Sequence, residues 1–165
     1  MRKNSRPLVD MLSQLPLKDQ TLLDIGAGIG TITFELFKKG IRQASYNDIS
    51  QAYIDTFLKE ASNQNLKEKV QWTKGNFVEV ASSISSADLV VLDKVICCFP
   101  DFAQLVHRSV EKTNRWYAYS IPKNAWWVKW GHAYKEWTKR KKGDFFPTFV
   151  HSTKEIEHLI ETQGL

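Results

Sequence analysis

Ten residues, Thr21 to Gly30, constrain this chain more than any other stretch, and they read Thr-Leu-Leu-Asp-Ile-Gly-Ala-Gly-Ile-Gly. An apolar run ends in an acid, Asp24, and glycines follow at alternate positions, Gly26, Gly28 and Gly30. An amphipathic stretch from Thr31 to Lys39 comes next. That order is the pattern of a buried strand, a tight backbone turn and the start of a helix. Glycine in such a turn lets the main chain approach a ligand with no side chain in the way. Turns of this kind most often carry a nucleoside-containing cofactor.

Strand and helix patterns then alternate along the chain. Helical apolar spacing over Leu8–Leu15 predicts a helix covering one sheet edge. Thr21–Ile25 is the first strand, and Gly28–Lys39 is a helix ended by Gly40. Gln43–Asp48 is the second strand, followed by a helix over Ser50–Asn63 with Ser50 as its cap. Lys69–Lys74 alternates as a third strand, and the apolar run Ala87–Asp93 is a buried central strand. Phe102–Glu111 is helical, Arg115–Ile121 is a fifth strand, and Ser152 with Glu155 is spaced as a capping box for a last helix. Strand alternating with helix five times predicts an α/β, doubly wound, mostly parallel sheet, with the ligand at the carboxyl ends of the strands. The 165 residues are about one domain, spanning 1–165.

The glycine pattern separates two cofactor classes. Nicotinamide and flavin sites use G-x-G-x-x-G, and counting from Gly26 the sixth position is Thr31. The D-x-G-x-G-x-G form found instead resembles motif I of the class I methyltransferases that use S-adenosylmethionine. The resemblance implies the Rossmann-like fold of that family, with strand order 3-2-1-4-5. It also implies that Asp24, Gly26, Ala27, Gly28 and Gly30 lie against the methionine end of the cofactor. Asp48 ends the second strand, where a carboxylate can accept both hydroxyls of a ribose. The matching acid of the family does so, although an acid there also caps helices. Ile49 beside it is a further cofactor contact. Lys74-Gly75-Asn76-Phe77 stands where the family often has Gly-Asp-Phe, whose acid meets the adenine amino group. Asn76 can accept the same hydrogen bond or simply hold a turn, and Phe77 completes the set.

The end of the fourth strand, Asp93-Lys94-Val95-Ile96-Cys97-Cys98-Phe99-Pro100, is where methyl donor and acceptor should meet. It lacks the Asn/Asp-Pro-Pro-aromatic motif of nucleic-acid N-methylation and the Pro-Cys pair of cytosine C5 methylation. It is more similar to small-molecule methyltransferases, loosely to the magnesium-protoporphyrin O-methyltransferase branch, which has an acid, apolar residues and an aromatic-Pro pair here. Methyl transfer from a sulfonium is an in-line displacement, so position matters most and a base is needed only if the acceptor must lose a proton. The candidates to face the acceptor are Asp93, which also borders the cofactor, Tyr119, His132 and His151. Each also has an ordinary structural reading. Cys97 and Cys98 lack C-x-x-C spacing and read as small apolar residues at a strand end, and no metal site is expected. The family normally ends in a hairpin that adds an antiparallel edge strand, which is expected to be missing here.

Charge is spread unevenly, a pattern that suits either an anionic partner or a solvated helix face whose aromatics pack on the core. From His107 to Lys142 there are ten Lys and Arg against two Glu, while the whole chain carries only +5. The same stretch holds five of the six tryptophans. Residues 122–147 break the strand-helix alternation and read as a basic, aromatic lid or insertion, with Trp126, Trp127 and Trp130 as a flat pocket wall or a packed lid. The leading reading is a cytoplasmic methyltransferase acting on a small acceptor, aromatic or anionic. The alternatives are an RNA or protein methyltransferase using the basic segment, and a non-catalytic relative. No apolar run reaches the roughly 20 residues of a membrane span, and no secretion signal is recognised. The acceptor, the atom methylated and the oligomeric state are not encoded in any motif.

Overall fold

A computed structural model describes residues 5–121 and 152–164. The expected lid over 122–147, with His132 and the tryptophans at 126, 127, 130 and 137, lies outside the described residues, as does His151.

Among the described residues, five strands form one parallel sheet in the order β3-β2-β1-β4-β5. They are β1 (Thr21–Ile25), β2 (Gln43–Asp48), β3 (Val70–Lys74), β4 (Ala87–Asp93) and β5 (Thr113–Ser120). This is the expected doubly wound order. The side-chain burial of β4 explains its central place: Leu89, Val90, Val91 and Leu92 are all fully buried. A strand apolar on both faces must be covered on both.

Six α-helices are described: α1 (Arg6–Leu12), α2 (Thr31–Phe37), α3 (Gln51–Asn63), α4 (Phe77–Val80), α5 (Phe102–Val110) and α6 (Thr153–Glu161). Two large apolar clusters divide them. Leu8, Val9 and Leu12 of α1 join Ile32 and Leu36 of α2 against Leu22, Ala44, Leu89, Val91 and Ala118 on one sheet face. Phe77 of α4, Leu105 and Val106 of α5 and Ile156 of α6 join Leu23, Ile25, Val90 and Leu92 on the other. A third cluster seats α3 on β2 beside α2, through Phe34, Tyr46, Ile54 and Phe57.

Three local expectations need correction. The first helix begins and ends earlier than Leu8–Leu15, at Arg6 and Leu12, while its Met11 and Leu12 line a groove with Arg115–Ala118 of the edge strand β5. The second helix starts at Thr31, not Gly28, because Gly28 and Gly30 are both left-handed (φ 59° and 76°) and cannot continue a right-handed helix. Ser50 and Ser152 stand at N-cap positions, but neither side chain makes the cap bond, so the capping box is not formed. Asn76 and Asp101 do cap, accepting from the backbone N–H of Val78 and Gln104.

Candidate functional site

The carboxyl ends of β1 and β2 build the glycine turn. Parallel register sets Asp24 beside Tyr46, and period-two alternation puts Asp48 on the same face as Tyr46. Both β2 side chains reach Gly28. The Asp48 carboxylate accepts the Gly28 N–H at 2.8 Å, and the Tyr46 hydroxyl donates to the Gly28 carbonyl at 2.5 Å. The Tyr46 ring is buried and stacked on Phe57, centroids 4.0 Å apart, so its hydroxyl has little freedom. Ala27 N–H donates to the Asn47 carbonyl at 3.2 Å, and the buried Asn47 amide donates to the Thr73 and Gly75 carbonyls. The ends of β1, β2 and β3 are thus sewn into one rim. Tyr46 and Asn47 were not singled out from the sequence. Tyr46 had a signal, its position two residues before Asp48 on a strand.

Two of the glycines answer different needs. A Cβ on Gly30 would lie 2.3 Å from the Phe57 ring, so this glycine serves packing. A Cβ on Gly28 would meet nothing within 4 Å. Gly28 therefore presents bare backbone to open space while its peptide is gripped from β2.

Asp24 is only 1% exposed and accepts the Thr33 hydroxyl at 2.7 Å. Burial pushes its carboxyl up to about 7; the Thr33 hydrogen bond opposes this, and the charges of Asp93 and Asp48 reinforce it. Asp48 is buried with one oxygen on Gly28 N–H and the other on Ser50 N–H at 2.8 Å. Each carboxylate oxygen keeps a second lone pair for a ligand hydroxyl. Ile49 follows it with 63% of its surface exposed, an apolar ledge beside the acid. Asn76 accepts from Val78 N–H and donates to Glu79, so its amide is already engaged in the turn. The Phe77 ring is buried in the core beside Ile25 and Leu92, which leaves its backbone, not its ring, to meet a ligand.

The ends of β4 and β5 form a second group. Asp93 receives the Ser120 hydroxyl, the Ser5 hydroxyl at 2.5 Å and the Lys94 ammonium at 3.1 Å. Burial alone raises its carboxyl, but the Ser120 and Ser5 hydrogen bonds and Lys94 outweigh it and hold it below the usual range. A carboxylate so well supplied with donors is a poor proton acceptor and a good anchor. Lys94 itself is left-handed (φ 61°), an unusual conformation for a side chain of this size. Tyr119 is in register with Leu92, so it faces the α5–α6 side, away from Asp93 and Ser120. Its phenol is raised by burial and by Glu157. The structure therefore brings Asp24, the glycine turn, Asp48 and Asp93 to one side of the strand ends and separates Tyr119 from them. Cys97 is buried as expected of a small apolar residue, but Cys98 is exposed.

Among the described residues no group of three or more His, Cys, Asp and Glu is placed to hold a metal, and no helix is long and apolar enough to cross a membrane. A groove of about 330 Å³ beside β5, lined by Leu12, Leu15, Trp116 and Ile160 among others, contains no residue of the glycine turn. In the described part of the basic stretch, Arg108 and Arg115 are exposed, and the Arg115 guanidinium lies 4.2 Å over the Trp116 ring.

A family model described as a methyltransferase domain matches residues 16–164. No curated protein matches the chain. Among solved structures, an O-methyltransferase family protein from Burkholderia thailandensis is similar at TM-score 0.74 and 17% identity, over 98% of this chain and 51% of that one. A candidate sarcosine dimethylglycine methyltransferase from Galdieria sulphuraria gives 0.75 and 16%, over 99% and 63%. Magnesium protoporphyrin IX methyltransferase from Synechocystis, solved with bound S-adenosylhomocysteine, gives 0.75 and 14%, over 96% and 70%. At these identities the likeness is one of fold. The chain spans about half the length of the first of these proteins.

Proposed function

The chain belongs to the methyltransferase-domain family, and from that membership we propose that it transfers a methyl group from S-adenosylmethionine to a small-molecule acceptor. One observation carries the reading. Gly28 is clamped by Asp48 and Tyr46 with its open side facing space that any side chain would fill. A main chain held in this way is a preformed surface for a cofactor that must come close.

The residues present suit that cofactor. Asp48 has lone pairs for ribose hydroxyls, and Ile49 beside it offers apolar surface to a purine. Asp48 and Asp93 bring carboxylates to the strand ends, where a sulfonium and an ammonium group gain from negative charge. When bound, the cofactor supplies the activated methyl group. The chain's part is to hold it, exclude water and orient the acceptor. Asp93, fixed by Ser5, Ser120 and Lys94, positions the β4 end rather than removing a proton. We place the enzyme in the cytoplasm, with the basic segment 122–147 contributing to acceptor choice. The RNA- or protein-directed alternative rests on the basic aromatic stretch from His107 to Lys142.

Isothermal titration with S-adenosylmethionine, S-adenosylhomocysteine and NADH tests the cofactor. Micromolar binding of the first two and none of NADH is expected. A folded protein that binds neither sulfur compound would overturn the reading and leave a non-catalytic relative.

A further inference from the structure

Just past β4 the chain makes a short 3-10 turn, Ile96–Cys98, that carries both cysteines of the protein. Their sulfurs lie 3.8 Å apart, close to van der Waals contact, and both point at one acceptor, the Lys94 carbonyl, at 3.2 and 3.5 Å. Cys97 is buried and Cys98 exposed. One sulfur is therefore open to a small reagent in solution, and the other is sheltered directly behind it. The methyltransferase reading gives this pair no task.

We propose that Cys97 and Cys98 are a modification site: a vicinal dithiol that a hydroperoxide oxidises to a reversible Cys97–Cys98 disulfide. Cys98 reacts first. The Cys97 S–H can turn toward its sulfur, which lowers the Cys98 thiol to about 7, against the opposing effect of burial. Cys98 ionises, its thiolate attacks one peroxide oxygen, the O–O bond breaks, and the departing hydroxide takes up the proton released on ionisation to become water. Cys98 is then a sulfenic acid. The Cys97 sulfur attacks the Cys98 sulfur, the S–S bond forms, the S–O bond breaks, and the leaving hydroxide carries off the Cys97 proton as a second water. Two thiols are oxidised and one peroxide is reduced to two waters. Consecutive Cα atoms are about 3.8 Å apart, below the usual disulfide range, so the product is strained and easily reduced. Both S–H donors to the Lys94 carbonyl are lost on closure. The next residue, Val95, is the one that packs on Gly26 of the glycine turn, so the modification sits directly against the proposed cofactor site.

Intact-mass spectrometry of the whole chain, with thiol titration, tests this without any cofactor. One equivalent of hydrogen peroxide should remove both thiols, lighten the monomer by two hydrogen atoms and add no oxygen, and dithiothreitol should restore it. Cys97→Ser should instead stop at a Cys98 sulfenic acid that dimedone captures, and Cys98→Ser should lose the fast reaction. A dimedone adduct of equal yield in the unaltered protein, a disulfide-linked dimer, or direct passage to sulfinic acid would each overturn the proposal. So would thiols that resist peroxide. A failed cofactor titration leaves this result untouched.

Discussion

The two halves of the strand-end surface are built on different principles. At β1 and β2 a ligand would meet backbone: the bare Gly28 peptide, supported from behind by Tyr46 and Asp48. At β4 and β5 it would meet side chains: Asp93 gathers Ser5, Lys94 and Ser120, which come from three separate parts of the chain. Backbone recognition needs a local conformation, so it leaves a short motif in the sequence. Side-chain recognition needs residues far apart in sequence, such as Ser5 and Asp93, and leaves none. The difference explains why a cofactor is easier to infer here than an acceptor.

The contrast can be broken first within the glycine turn. Gly30→Val drives a side chain into Phe57 at a left-handed position, and is expected to cost about 3–5 kcal/mol of folding stability. Gly28→Leu has room, and is expected to cost only about 1–2 kcal/mol of stability, yet to lower S-adenosylhomocysteine affinity about a hundredfold or more. Chemical denaturation and calorimetry on the two variants separate the roles. Equal stability losses with unchanged affinity would remove the distinction between a packing glycine and a ligand-facing one.

Asp24 comes next. Its folded-state value of about 7 lies above the ordinary 3.8, so the folded protein holds a proton that the unfolded chain releases. The stability from this group is full below pH 4 and is lost as pH rises through 7. The expected loss is about 4 kcal/mol at most. Asp24→Asn should flatten that slope in urea denaturation between pH 4 and 7. A variant with the same slope as the parent would place the buried proton elsewhere.

Asp48→Ala is expected to weaken cofactor binding by about 1–3 kcal/mol, through lost ribose hydrogen bonds and a freed Gly28 N–H. An unchanged dissociation constant would move the ribose site away from β2. The smallest effect belongs to the other half. Ser5→Ala and Ser120→Ala should each cost about 1 kcal/mol of stability, and because they share Asp93 the double variant should differ from the sum of the two. Strict additivity would mean that Asp93 does not join them.

The fold was legible where one periodicity dominated. Thr21–Ile25 and Ala87–Asp93 are strands with the expected ends, since apolar runs closed by an acid have few other uses. The first helix has apolar spacing that says which face is buried, but its bounds, Arg6–Leu12, fall earlier than that spacing. Asp24, Gly28 and Asp48 converge as their spacing implies. Thr33 on Asp24, Asn47 across to β3 and Ser5 on Asp93 were invisible, because each joins residues whose meeting depends on the finished sheet. Cys98 misled for the same reason: its neighbour is buried, and only the direction of the turn exposes it.

The double grip on Gly28 sets the size of the unit that could be transplanted. A designer who grafts the ten residues from Thr21 to Gly30 onto another scaffold carries the loop without its clamps, because the phenol and the carboxylate that hold it arrive on the next strand. The smallest inheritable part is the whole strand-helix-strand segment from Thr21 to Ser50, with Phe57 supplied to steady the tyrosine. Insertions or deletions inside that segment are therefore expected to be rarer among descendants of this chain than in the connections on either side of it.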